Sequence, residues 1–185
     1  MFQDEFEAAS SAYEPSGSRD VRDEHGNLVW EEVPENELEG LGLTKKLLEP
    51  EGSDFTAVVM RKPGSKDVVV SFRGTTSWVE GRALGEDMRN NKQQAMGEAS
   101  EYYSRAQTIA RNIAEKTRNS GVGVKFVGHS LGGGLASAAA HASGLPASTY
   151  NAAGLHDNNM NLGDYDAPPI DAVRVDGEIL TAIQR

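Results

Sequence analysis

Beyond residue 50 the apolar positions fall into short runs that alternate between a strand-like and a helical period. Residues 55–61 (FTAVVMR) and 67–72 (DVVVSF) are apolar, β-branched stretches separated by Pro63 and Gly64. Runs of this kind bounded by turn residues predict two adjacent strands joined by a tight turn. The polar stretch 80–97 predicts loop with at most a helical turn. From Ser100 the apolar positions Tyr102, Ala106, Ile109 and Ile113 recur at helical spacing and stop before Asn119, Ser120 and Gly121, which predicts an amphipathic helix with a C-terminal stop. Residues 122–127 then read as a buried strand, 131–143 as a helix of small residues, 147–151 as another strand and 170–175 as the last. Strands alternating with helices imply an α/β architecture, a mostly parallel sheet flanked by helices on both faces.

The front of the chain reads differently. Half of the 28 acidic residues precede residue 52. Residues 1–51 are therefore expected to be an acidic, partly irregular, solvated lead-in, with Leu28, Val29, Trp30 and the leucines between 38 and 43 as apolar anchors. Residues 52–185 are expected to hold the α/β core, and a chain of this length buries roughly two-thirds of its unfolded surface.

A formal net charge of −10 excludes nucleic acid or an anionic membrane held by charge, since phosphates are bound by clusters of Lys and Arg. No window approaches the length of a transmembrane helix, and MFQDEFEAASS has neither a basic start nor a long apolar run. The expectation is a soluble chain without a cleavable signal peptide. The absence of cysteine excludes disulfides and thiolate chemistry, and four scattered histidines imply no metal site and no cofactor.

The candidate chemistry lies at Gly128-His129-Ser130-Leu131-Gly132, followed by Gly133, Gly134, Leu135 and Ala136. This is G-x-S-x-G with an apolar strand before it and a small-residue helix after it, the context a nucleophile elbow needs. The chain must turn so sharply at the serine that residues two positions away crowd each other, which is the reason for glycine at 128 and 132. The turn exposes the Ser130 hydroxyl and aims the next helix's N-terminus at it, so that the Leu131 N–H can donate to a developing oxyanion. The bland reading is a glycine turn that packs closely or cradles phosphate. A P-loop is excluded, because no Gly-Lys-Ser/Thr is present.

A second motif, Ser71-Phe72-Arg73-Gly74-Thr75-Thr76, ends the earlier strand. FRGT ending one strand and GHSLGG ending a later one resemble the lipase class 3 family, over residues 40–180, and Thr149-Tyr150-Asn151-Ala152-Ala153-Gly154 resembles that family's strand and loop after the nucleophile helix. The resemblance implies an α/β-hydrolase that cleaves lipid esters and takes its second oxyanion donor from Thr75. Arg73 is expected to make an ion pair or bond nearby carbonyls rather than to touch substrate. The segments LGLTKKLLEPEGSDFTAVV and VRVDGEILTAIQ resemble lipase-like toxins delivered by bacterial type VI secretion. That likeness implies a phospholipid-degrading effector, and with it an immunity protein as partner. A lid of the kind found in the family falls on residues 78–94, where the charge also fits an ordinary surface loop.

A serine hydroxyl needs a histidine to take its proton and a carboxylate to orient that histidine. In this fold the order is serine, acid, histidine. Asp176 follows the last strand, and Glu178 stands two residues on, after Gly177, which better matches the family's Gly-Asp turn. Either serves as the acid, and a solvated loop carboxylate is the alternative for both. No histidine is well placed. His129 is expected to point away from the serine, His141 lies about three turns down the following helix, and His25 sits in the lead-in. His156 precedes both acids and reverses the usual order, so it is the base only in a rearranged triad. Nine residues follow Asp176, which reads as a hydrolase core incomplete at its C-terminal end. The remaining readings are a pseudoenzyme or a base from a second polypeptide. Two functions follow, a serine esterase acting on lipids or an inactive lipase-fold module that binds lipid or a partner. Acyl transfer shares every motif with the first.

Overall fold

A computed structural model describes residues 2–74, 88–150 and 168–173, with side chains for 5–74, 100–150 and 168–173. Among them, seven strands form one sheet in the order in which they occur along the chain: β1 (Val21–Arg22), β2 (Leu28–Glu32), β3 (Thr56–Arg61), β4 (Val68–Arg73), β5 (Val124–His129), β6 (Ala147–Tyr150) and β7 (Ile170–Val173). From β1 to β4 the neighbours are antiparallel, and from β4 to β7 they are parallel. The sheet is mixed, and its parallel half carries the α/β-hydrolase-like character. There the register Phe72 to Gly128, His129 to Tyr150 and Tyr150 to Val173 brings the carboxyl ends of four strands to one edge.

The period of two along the strands sorts side chains onto two cores. Ala57, Val59, Val68, Val70, Phe72, Val124 and Phe126 face the helices α4 (Met88–Thr117) and α5 (Leu131–Ser143), meeting Tyr102, Ala106, Ile109 and Ile113 of α4 and Leu135, Ala136, Ala139 and Ala140 of α5. Val58, Met60, Val69, Val127 and Tyr150 face the other way, onto Ala8, Ala9 and Ala12. The buried stripe on α4 is the one the helical spacing predicts, and the helix stops before a left-handed Gly121. It starts earlier than expected, at Met88, so much of the stretch read as loop is helical backbone. Alanines and glycines fill α5 because it packs against both α4 and the sheet, where a larger side chain has no room.

The front of the chain corrects an expectation. Residues 2–51 are not a solvated lead-in. Helix α1 (Phe2–Ser11) covers the second face of the sheet, with Ala8 and Ala9, and Ala12 just beyond, wholly buried. Strands β1 and β2 extend the sheet, and the short helices α2 (Glu35–Leu38) and α3 (Lys45–Leu48), with a 3-10 turn between them, add Leu38, Leu43 and Leu48 to the core. The acidic residues are placed by cations. Arg19, its side chain 3% exposed, reaches Glu32 at 2.9 Å and forms a two-pronged pair with Glu49, which Lys45 also contacts. Arg61 holds Glu31 and Glu37, and Lys125 and the Ser148 hydroxyl both donate to Glu5. No helix among the described residues is long and apolar enough to cross a membrane.

Burial raises the Glu49 carboxyl, but hydrogen bonds from Arg19 and Lys45 outweigh it and bring the pKa down from 4.5 to about 2. A depressed carboxylate stabilises the fold above its unfolded pKa, and that stability is lost as pH falls through the folded one. Glu49→Gln is therefore expected to lower the unfolding free energy at pH 7 by about 1–2 kcal/mol, allowing for solvent screening of a partly exposed group. The gap from wild type should narrow as pH falls from about 5 toward 3. Denaturant unfolding across that range checks it, and a gap independent of pH refutes the ion-pair account.

Candidate functional site

Ser130 occupies the single residue between β5 and α5, with φ 55° and ψ −120°. Among the described residues it is the only one other than glycine with positive φ. Such backbone costs of order 1–3 kcal/mol and persists only where its surroundings enforce it. They do so here through backbone contacts. The Ser130 N–H donates to the Tyr150 carbonyl at 3.0 Å, and the Ser130 carbonyl accepts from the Gly133 N–H at 3.0 Å and the Gly134 N–H at 3.3 Å. A Cβ on Gly128 would lie 2.1 Å from the Gly132 carbonyl oxygen, and one on Gly132 would lie 2.1 Å from the Phe72 carbonyl oxygen. The two glycines let the start of α5 press against the ends of β5 and β4 together.

A serine that opens a helix ordinarily turns its hydroxyl inward to cap a free N–H. Ser130 makes no such side-chain bond. Ser130 stands at the N-terminal, positive end of the α5 dipole.

The second motif meets the first. A Cβ on Gly74 would come within 2.9 Å of the Leu131 Cβ and 3.0 Å of the Gly132 nitrogen, so the FRG turn lies directly on the residue after the serine. Arg73 donates from Nη2 to the Asp54 carbonyl at 2.9 Å, the kind of bond expected of it. The structure thus brings Ser130, Leu131 and the residue preceding Thr75 together. Thr75, His156, Asp176 and Glu178 lie outside the described residues, as do residues 78–87 of the segment considered as a lid. The strands before them are placed: β6 ends at Tyr150, whose carbonyl holds the Ser130 N–H, and β7 ends at Val173, paired with Tyr150. Both of these strand ends lie at the same edge of the sheet as the elbow.

The described histidines are elsewhere. The His129 ring meets Phe6 of α1 edge-on, with centroids 6.3 Å apart, and burial pushes its pKa down. It belongs to the α1 side of the sheet. His141 stands in the last turn of α5, about 16 Å along the axis from Ser130. His25 is exposed in the β1–β2 turn beside Glu24.

One residue near the elbow escaped the sequence reading. The Tyr13 hydroxyl donates to the His129 carbonyl at 3.4 Å. Burial raises its pKa, against smaller opposing effects of the nearby Gly74 N–H and of Arg73, so the phenol stays protonated at neutral pH. The signal available was Phe6, Ala8, Ala9, Ala12 and Tyr13 at near-helical spacing, masked by the surrounding acidic residues.

A strained serine between strand and small-residue helix, at the carboxyl edge of a sheet of this topology, defines an α/β-hydrolase-like domain. The chain belongs to the Tle-like phospholipase domain family, whose phospholipase-like model matches residues 8–185, a match that starts within α1. It is also similar to an extracellular phospholipase A1 of Serratia liquefaciens, 33% identical over 136 residues. Those residues are 74% of this chain and 39% of the relative, so the chain spans well under half of the curated relative it matches.

The glycine contacts give a direct test. Gly128→Ala and Gly132→Ala each drive a methyl group into backbone and are expected to destabilise by at least about 2–3 kcal/mol. Gly40→Ala meets nothing within 4 Å and should change stability by less than about 1 kcal/mol. Thermal melts of the three variants compare them, and an unperturbed Gly128→Ala would sink the close-packed elbow.

Proposed function

We propose that this chain is the nucleophile-bearing part of a serine phospholipase that cleaves an acyl ester of a phospholipid through an acyl-serine at Ser130. The observation that carries the reading is the strained backbone of Ser130, which holds an uncapped hydroxyl at the N-terminus of α5. Membership in a family of phospholipase-like domains and the likeness to a phospholipase A1 supply the substrate class.

In the proposed reaction the Ser130 Oγ attacks the ester carbonyl carbon. Its proton passes to the base, and the carbonyl electrons move onto oxygen, where the backbone N–H groups of Leu131 and Thr75 receive the charge. Collapse restores the carbonyl and breaks the bond to the lysophospholipid oxygen, which leaves with that proton. Water then attacks the acyl-serine, the fatty acid is released and the serine is reprotonated. Asp176 or Glu178 orients the base. Within this chain the candidate base is His156, six residues after the β6 end that holds the Ser130 amide. The family's Tle-like description further supports delivery as a type VI effector, with an immunity protein as the producing cell's protection.

The test is intact mass after incubation with a fluorophosphonate probe, which phosphonylates an activated serine hydroxyl. A single adduct is expected on the wild-type chain, absent from Ser130→Ala and reduced at least about 100-fold in rate in His156→Ala. Fatty-acid release from phospholipid vesicles should follow the same order. A folded wild-type chain that takes no adduct overturns the acyl-serine reading, and vesicle binding unchanged in Ser130→Ala would then favour a lipid-binding module. An adduct undiminished in His156→Ala removes that histidine from the mechanism and leaves Ser130 in it.

A further inference from the structure

A groove of about 480 Å³ runs between α3 and the middle of α4, lined by Leu47, Ser100, Glu101, Ser104, Arg105 and Thr108. That volume is in the range of small-molecule sites. The groove lies beside the end of the sheet that carries the elbow. Thr56, the first residue of β3, pairs with Arg73, and Phe55 just before it lays its ring 6.3 Å from that of Phe72. Arg105 stands over the Phe55 ring, 5.8 Å from its centroid, and donates from Nη1 to the Leu47 carbonyl at 3.4 Å. The Phe72 carbonyl in turn lies against Gly132. Two packed residues, Phe55 and Phe72, thus lie between this guanidinium and the start of α5.

The two opposite charges in the groove do not pair. Glu101 and Arg105 stand four residues apart on α4 with the acid nearer the N-terminus, the spacing at which such pairs ordinarily close. Arg105 is taken up by Phe55 and Leu47 instead. Among the described residues it makes no ion pair, whereas Arg19 and Arg61 each hold two carboxylates. A guanidinium held over a ring and by one carbonyl keeps the other donors of its planar fork. Thr108 donates its hydroxyl proton to the Ser104 carbonyl at 3.0 Å. The Ser100 and Ser104 hydroxyls make no hydrogen bond among the described residues.

We propose that this groove binds the headgroup of a zwitterionic phospholipid, with the phosphodiester on Arg105 and the Ser104 hydroxyl and the ammonium on Glu101. The inference rests on the acyl-serine reading for its lipid, and it adds a headgroup preference to that reaction. A phosphodiester accepts paired N–H bonds from a guanidinium fork and single bonds from hydroxyls. One helical turn away, with about 6 Å between Cβ atoms, Glu101 supplies a carboxylate. That spacing suits the phosphate and ammonium of one headgroup and repels a headgroup of net negative charge. The charge of the chain acts in the same direction. At a net charge of −10 it is repelled by an anionic surface, and a zwitterionic surface leaves its approach unopposed.

Nuclear magnetic resonance titration of the full chain with glycerophosphoethanolamine, glycerophosphoglycerol and inorganic phosphate reads binding without turnover. The Arg105 Nε–H and the Ser104 amide should shift saturably with glycerophosphoethanolamine. Arg105→Gln should weaken that binding at least about tenfold. Arg105→Lys, which keeps the charge and the stem but not the fork, should lose most of it as well with the fold intact. Arg111→Gln, which removes an exposed charge from the same helix, should bind as wild type. Glycerophosphoglycerol and inorganic phosphate should each bind about three- to fivefold more weakly than glycerophosphoethanolamine, and Glu101→Gln, a change at an exposed position, should erase the difference between the two diesters. Inorganic phosphate bound as tightly as glycerophosphoethanolamine, no saturable shift at Arg105, or a preference that survives Glu101→Gln overturns the headgroup site. A wild-type chain that binds as expected but takes no fluorophosphonate adduct defeats the acyl-serine reading and leaves the groove its ligand. A chain that takes the adduct and shows none of these shifts defeats the groove alone.

Discussion

The structure depends on a place where three backbones meet without side chains between them. Gly132 of α5 lies against the Phe72 carbonyl of β4, and Gly128 of β5 against the Gly132 carbonyl. Any other residue at either position puts a carbon about 2 Å from an oxygen, so the contact requires glycine for steric reasons alone. What it achieves is directional. With the start of α5 pressed onto two strand ends, the chain has no way from Gly128 to Leu131 except through positive φ at residue 130, and a serine in that conformation presents its hydroxyl at the helix N-terminus. Strain at Ser130 is thus enforced by packing two residues away on each side, which is the usual way a sparsely populated conformation persists.

The two faces of the sheet serve this contact unequally. On one face α4 and α5 form a dense core of aromatic and aliphatic side chains, including the Phe72 ring, which meets those of Phe55 and Phe126. That face sets the distance of α5 from β4 and β5. The other face is closed by α1, which offers mostly alanine to the core and relies on Glu5, Ser71, Lys125 and Ser148 to fix its place. The excess of acid in the first fifty residues is consistent with this scheme. Four of those carboxylates pair with arginines, Glu32 and Glu49 with the buried Arg19 and Glu31 and Glu37 with Arg61, and an unpaired guanidinium as buried as that of Arg19 would carry a desolvation penalty of several kcal/mol.

Much of this was legible in the order of the residues. The stripe Tyr102, Ala106, Ile109 and Ile113 announces the buried face of α4, and the strands on either side of the elbow begin and end within two residues of where their patterns place them. The elbow was legible because it is local: five residues with their flanking strand and helix contain the whole geometric argument. The first fifty residues were not, because the signal for burial is side-chain size, and α1 buries alanine. A segment that packs through small residues and is fixed by ion pairs looks, in one dimension, like a solvated acidic tail. The start of α4 was hidden for a related reason, since residues 88–97 are polar and carry no apolar stripe. Tyr13 was invisible for a third reason, since the carbonyl it donates to, that of His129, lies more than a hundred residues away in the chain, and no spacing rule links a tyrosine to a carbonyl at that range.

These three cases share a consequence for how the site is assembled. The carboxyl ends of β4, β5, β6 and β7 form one edge, and each contributes something different: the Arg-Gly turn, the serine, the carbonyl that holds the serine's amide, and the strand from which the candidate acids depart. None of these ends is fixed by its own sequence. Each is held by a neighbour, Gly74 by Leu131, Ser130 by Tyr150, Tyr150 by Val173. A site built in this way transmits displacement along the edge, because moving one strand end shifts the backbone bond that holds the next.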